Sequence, residues 1–373
     1  MPARPSMCDP PKMQGYHGKS GSYVWPQTLR LPPRPLKVVY LDLNHWVALA
    51  KAMAGHSDGE ASADVLTGCL SALERGGVAF PISDSIYFEI SKIRLHRQRR
   101  DLLEVIEAMS RFMVVTSRSV VSAHEIEALL DRVAGPNPKP IRSMNYLDWG
   151  VARALGMVGG FKVRSSSGED LTAAVRDAHP DGPGAFDRLL AKAELELNRN
   201  VIAGPAPDKE ADLRKLGWNP TGGFEVAERR VTQEIEQVRR FDEDPRWRRG
   251  RIRDVVAARE VLIEINDALF RGLSERGATL ETIFPRLADT RHALDSMPSF
   301  DVAVTLKTAY HRDPMHRWTP NDIHDIDAMG SALPYCDIVV TDKAVASHAK
   351  RTKLAQRLDT IVLWRLSDLL QHL

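Results

Sequence analysis

Residues 318–343, Trp-Thr-Pro-Asn-Asp-Ile-His-Asp-Ile-Asp-Ala-Met-Gly-Ser-Ala-Leu-Pro-Tyr-Cys-Asp-Ile-Val-Val-Thr-Asp-Lys, constrain the fold more than any other stretch. Thr319 suits a helix N-cap, Pro320 the first helical position, and Asp322 completes a capping-box spacing, so a helix starts here. At about 100° per residue, Ile323, Ile326, Met329 and Leu333 form one stripe, with Asp325 at its border and Asp327 on the far side. Asp322 and Asp325 thus face inward one turn apart. Like charges there repel, and a bound cation would explain their placement. After Pro334, residues 336–340 read as a short buried strand ending in Thr341-Asp342. That puts a third carboxylate at the C-terminal edge of a strand, where open α/β sheets bind ligands.

The front of the chain repeats this arrangement. An apolar strand over 36–41 runs into Asp42-Leu-Asn-His-Trp46 and a helix. A helix over 62–75, a strand over 78–82 and a long helix opening at Ser83 follow, with Glu89 in the second turn of the last. His96 and Arg100, at i+7 and i+11, share the Glu89 face of this helix. A third strand is expected over 112–116. Strands alternating with helices imply an α/β fold with a doubly wound parallel sheet.

From 119 to 313 the strand signal fades, and helical periodicity appears at 123–133, 185–198, 224–240, 252–273 and 280–294, between loops rich in glycine, proline and serine. This reads as a large α-helical insertion. The sheet resumes with a helix over 344–357 and a strand over 360–364. The expected division is an extended arm (1–35), a first domain part (36–118), the insertion (119–313) and a second domain part (314–373).

With 51 Lys+Arg against 49 Asp+Glu, the net charge is +2, so a nucleic-acid footprint must come from local clusters. Two runs qualify: Lys92, His96 and Arg100, and Arg246-Trp247-Arg248-Arg249, which interleaves an aromatic ring for base stacking. Either could equally be a solvated helix face. The three cysteines form no C-x-x-C pair, which argues against a disulfide framework or a zinc site and for a reducing, cytoplasmic setting. No apolar run suits a signal peptide or a membrane span.

Asp42, Glu89, Asp322, Asp325 and Asp342 are the acids at strand ends and helix starts. Oxygen-only ligands suit Mg²⁺ or Mn²⁺, and such ions assist phosphodiester hydrolysis. The plainer readings are that Asp42 and Asp322 cap helices and Glu89 lies on a solvated face. In order along the chain, Val38-Val-Tyr-Leu-Asp42-Leu-Asn44, Glu89 after the second strand, Asp325 with Ala332, and Val339-Val-Thr-Asp342 resemble the PIN-domain nucleases. The family usually places one residue between the Thr and the last Asp; here they adjoin.

The resemblance implies a metal-dependent endoribonuclease acting on single-stranded RNA. Asp42, Glu89 and Asp325 would be ligands, Asp322 and Asp342 further ligands or water positioners, and Asn44 and Thr341 orienting groups. Resemblance to part of the family also implies a toxin role with an inhibitor protein as partner. The alternatives are a catalytically silent PIN-like module that binds nucleic acid or protein, a DNA nuclease, and a haloacid-dehalogenase-type phosphatase. The phosphatase wants an acid two residues after the first Asp, and position 44 is Asn.

Overall fold

A computed structural model describes residues 22–157, 160–206, 208–216, 219 and 222–373. Its strands are β1 (Leu29–Arg30), β2 (Lys37–Leu41), β3 (Val78–Ala79), β4 (Met113–Val115), β5 (Met144–Asn145), β6 (Leu147–Trp149), β7 (Ile338–Val340) and β8 (Ile361–Leu363). The longer helices are α1 (Leu43–Met53), α2 (Ala63–Glu74), α3 (Asp84–Ser91), α4 (His96–Ser110), α5 (Arg118–Ala134), α6 (Pro183–Ala203) and α7 (Gly222–Glu243). They continue with α8 (Ile252–Glu260), α9 (Asn266–Glu275), α10 (Pro298–Arg312), α11 (Pro320–Tyr335) and α12 (Lys343–Arg351).

The chain is mixed α/β. Its main sheet is parallel throughout, in the order β3-β2-β7-β8. Val38, Val39, Tyr40 and Leu41 are all buried, as a parallel strand covered on both faces requires. Asp337 ties the bottom of β2 to β7, its Oδ2 accepting from the Val38 amide and its Oδ1 from Arg34. β4 meets this sheet only through an Ile82–Val114 bridge, and pairs antiparallel with β6, a strand the sequence reading omits. Of the arm, residues 1–21 lie outside the described residues. Beyond them Tyr23, Val24 and Leu29 are buried, and Trp25 packs edge-on against Tyr23 and Tyr335.

The helix expected to run on from Ser83 stops at Ser91, and a new one starts at His96. The helix expected over 344–357 breaks at Lys353, which has φ +59°. The helix expected over 252–273 is continuous, but carries a π-helical turn at Val261–Ile265. The helices predicted within the insertion end at 294, whereas the structure adds α10, buried along nearly its whole length. Its Asp301, Thr305, Thr308 and Arg312 recur at helical spacing and Pro298 sits at its start, a period that the sequence reading passes over. Phe300 and Val304 enter a core shared with α5, α8 and α9; Val302, Ala303, Leu306 and Tyr310 enter the sheet's core.

Asp327, which the stripe analysis put on the far side of α11, proves to be half-buried in an ionic network. Arg230 grips it, with Nη2 at 2.9 Å, and Arg118 Nη1 donates at 2.9 Å. Arg118 also pairs with Glu260, and Lys307 lies 2.9 Å from Glu260 and 3.1 Å from Glu234. The π-helical turn brings in Glu264, which accepts from Arg230 Nε at 2.8 Å. His311 Nε2 lies 2.8 Å from Glu234.

Candidate active site

Two acids are positioned by the sheet. β2 and β7 pair with Leu41 opposite Val340, and the ladder extends one bond further, the Asp42 amide donating to the Val340 carbonyl at 2.9 Å. Asp42 and Asp342 therefore leave neighbouring strand ends, and each caps the helix that follows. Asp42 Oδ1 accepts from the Leu43 amide at 2.7 Å, while Asp342 Oδ1 accepts from the Ala344 and Val345 amides. The capping reading and the site reading are compatible, because capping engages one oxygen of each carboxylate.

Helices carry the other two. Ser83 caps α3 through the Ile86 amide, and the Ser85 hydroxyl donates to the His324 carbonyl at 3.2 Å. This pins the start of α3 to α11, so that Glu89, one turn beyond Ser85, acts through space on Asp325, next to His324. The electrostatics express the convergence. Burial first, then Asp42, Glu89, Asp342 and Asp322, drives the Asp325 carboxyl well above the usual carboxylate range. Burial and Asp42 push Glu89 up to about 7, against Lys92. Burial and Asp342 push Asp42 up to about 6, against the Leu43 amide and the Thr341 hydroxyl. Thr341 Oγ1 nevertheless makes no hydrogen bond of normal geometry and is buried, so it lies beside Asp42 with its bonding capacity unused.

Among the described residues none of Asp42, Glu89, Asp325 and Asp342 has an Arg, Lys or His within ion-pair distance. Lys92 comes nearest in effect. Its ammonium donates to Asn321 at 2.7 Å, lies 4.0 Å from the Phe224 ring centroid, and acts through space on Glu89 and Asp325. As the side chains stand, no three His, Cys, Asp or Glu among the described residues are gathered closely enough to hold an ion. In kind the donors fit a hard divalent cation: oxygen only, uncompensated in charge, with an orphaned hydroxyl beside them.

Asp322 serves the capping box, its Oδ2 accepting from the Thr319 amide and hydroxyl at 2.6 and 2.8 Å. Asp322→Ala is expected to cost about 1 kcal/mol, the usual worth of a cap, which thermal melts check. Asn44 does not orient Asp42: its side chain is exposed on α1, and a backbone amide performs that task. Asn44→Ala should therefore change stability by no more than about 0.5 kcal/mol, as denaturant midpoints would show.

The basic residues divide. Lys92 is at the cluster, but the break after Ser91 carries His96 and Arg100 away from the Glu89 face. His96 borders a separate crevice with Val47 and Asp101, and Arg100 is exposed. In the second run Arg246 pairs with Asp244, while Arg248 binds Asp242 and the His311 carbonyl. Arg249 is exposed, and Trp247 is 42% exposed with Arg251 5.8 Å from its ring centroid. The run is thus largely a self-neutralised helix start.

Sequence reasoning missed a wall of rings beside the acids. Tyr310 stacks on His316 at 4.5 Å and meets Trp318 and His348 edge-on at 5.6 and 5.3 Å. Burial, then Asp325, Asp322, Asp342 and Asp42, raises the Tyr310 phenol, which places the wall against the cluster. His45 was missed too; its Nε2 lies 3.3 Å from the Thr341 carbonyl, and burial keeps it neutral. Nothing in the spacing of these residues announces the wall, because three segments supply it.

Among the described residues no helix is long and apolar enough to cross a membrane. No family model matches the chain, and neither a curated protein nor a solved structure gives a significant match.

Proposed function

We propose that this chain is a metal-dependent endoribonuclease, a hydrolase of single-stranded RNA built on a PIN-like domain. The observation that carries the reading is the convergence of Asp42, Glu89, Asp325 and Asp342, from four separate segments, with no cation paired to any of them. A cell of like charges is costly unless something positive shares it. In this reading the parallel sheet is the centre of a doubly wound domain. Its switch point lies between β2 and β7, because β2 leads to β3 on one side and the sheet continues through β7 on the other. A reducing, cytoplasmic setting belongs to the same reading and agrees with free Cys69 and Cys336.

The four carboxylates would hold Mg²⁺ or Mn²⁺. When bound, such an ion supplies Lewis-acid stabilisation of the phosphodiester and an acidified water. The Leu43, Ala344 and Val345 amides hold Asp42 and Asp342 in fixed rotamers, so the ligands need little reordering. Lys92, steadied by Asn321, takes a phosphate of the strand at the rim, and the Tyr310 wall limits water on the opposite side.

The test is cleavage of a labelled single-stranded RNA with Mn²⁺, beside a DNA strand of the same sequence. Joint Asp42→Asn and Asp325→Asn substitution should abolish cleavage; undiminished cleavage would sink the hydrolase reading. A second reading, a catalytically silent module, draws on the absence of a gathered three-ligand set among the described residues. Calorimetry separates them, since saturable Mn²⁺ binding lost in Asp325→Asn belongs only to the first.

A further inference from the structure

A second site lies on the other end of α12 from Asp342. There a cleft of about 570 Å³ opens between the last turns of α10 and α12, the segment after α12, and the start of α8. Four guanidinium groups line it: Arg253, Arg312, Arg351 and Arg357. Only two carboxylates answer them. Asp301, 4% exposed, accepts from Arg253 at 2.9 Å, Arg357 at 2.6 Å and the Tyr23 hydroxyl at 2.6 Å. Asp295 accepts from Arg253 at 2.7 Å. Arg312 and Arg351 pair with no carboxylate among the described residues; the one contact of Arg351 is the neutral His348 Nδ1, at 2.7 Å. Four cations against two anions leave the cleft with two positive charges in excess.

A separate observation points to a missing ligand. Thr308, on the α10 wall of the cleft, is 3% exposed, and its hydroxyl has no hydrogen-bond partner. A buried hydroxyl without a partner is costly and uncommon. Its neighbour one turn back, Thr305, is already engaged, taking a bond from Arg253 and giving one to Asp301. Asp301 is thus the fixed keystone that orients Arg253 and Arg357, whereas Arg312 and Arg351 remain free to close on a guest.

We propose that this cleft binds a small phosphorylated molecule carrying at least two negative charges, of the size of a mononucleotide. Guanidinium forks match phosphate oxygens two at a time, which a single carboxylate guest would not satisfy. The volume lies within the range of small-molecule sites and exceeds what inorganic phosphate alone would fill. Thr308 would donate to a phosphate oxygen. The site stands apart from the acid cluster in sign as well as place, so this inference does not depend on the nuclease reading. The two are joined through α12, whose N-cap is Asp342 and whose last residue is Arg351. Occupation of the cleft therefore bears directly on the helix that ends in an acid of the candidate active site.

The experiment is calorimetric titration of the whole protein with pyrophosphate, with a nucleoside diphosphate and with a short single-stranded RNA. All are run with chelator present, so that the acid cluster, without a cation, repels the probes. Wild type should bind one equivalent of pyrophosphate or nucleoside diphosphate, and more weakly at high salt. Arg312→Gln with Arg351→Gln, two exposed changes that break no ion pair, should weaken binding at least tenfold with the melting temperature unmoved. Thr308→Val should weaken it less while leaving the stoichiometry at one. The proposal is overturned by no saturable binding of either small probe, by equal binding to the double variant, or by an effect confined to RNA.

Discussion

The acid cluster of the metal-free protein is expected to contribute less stability as the pH rises from about 4 to about 7. Asp42 moves from 3.8 unfolded to about 6 folded, Glu89 from 4.5 to about 7, and Asp325 moves upward as well. Between the unfolded and folded values the native state holds protons that the unfolded chain has released. Their contribution is therefore greatest below the unfolded values and falls as each folded value is passed. At about 1.4 kcal/mol per pKa unit, and with the groups sharing one another's charge, the loss is on the order of 2 kcal/mol. Asp325→Asn removes one charge from the set. The variant should melt above wild type at pH 8 and level with it at pH 4.5. Saturating Mn²⁺ should reverse the order at pH 8, adding about 2.7 kcal/mol to wild type at a hundred times the dissociation constant and nothing to the variant. Melting curves over pH, with and without Mn²⁺, read all of this. His124 and His324, both drawn down to about 4 by burial, add stability over the same range, so the cluster is read from the difference between the two proteins; a variant that melts level with or below metal-free wild type at pH 8 would remove the strained acid cluster from the account.

Glu260→Gln should produce the largest loss of stability among conservative changes. Glu260 is 1% exposed and balances Arg118 and Lys307, both also buried. Burial pulls the Lys307 ammonium downward, and Glu234 and Glu264 oppose that. Gln keeps the shape but takes away the charge that the two cations share, leaving Arg118 to Asp327 and Lys307 to Glu234 and Glu264; the loss of hydrogen bonds between charged groups costs about 1.5–3 kcal/mol. Denaturant midpoints at constant slope would measure it. Glu236→Gln, whose partners Arg239 and Arg240 are exposed, is the matched control and should shift stability by less than about 1 kcal/mol. Similar losses in both would mean that the seam is wet and the network weak.

The two results concern opposite sides of one helix. Asp325 and Asp327 are two residues apart on α11, yet one lies among unpaired acids and the other is clasped by Arg230 and Arg118. The Asp327 carboxyl is held well below the usual range: burial opposes this, and the two arginines overcome it. A helix with only its apolar stripe known cannot reveal this difference, because the deciding charges come from α5 and α7.

What could be read from the chain alone were features whose cause is local. The Thr319–Asp322 capping box, Pro320 at a helix start and the all-apolar strands that end in Asp42 and Asp342 follow from backbone geometry and short-range hydrogen bonding, and all are present. The pairing of β2 with β7, and with it the adjacency of Asp42 and Asp342, is a tertiary result, because the two strands come from opposite ends of the chain and nothing local sets which strands pair. Whatever depended on distant partners stayed hidden. The break at Ser91 that separates His96 and Arg100 from Glu89 carries no glycine or proline to mark it. The same holds for the ring wall around Tyr310, the Arg118–Glu260–Lys307 seam and the arginine cleft at Thr308. Each is assembled from segments far apart in sequence, and a charge declares its role only when the partner that balances it, or fails to, is in place.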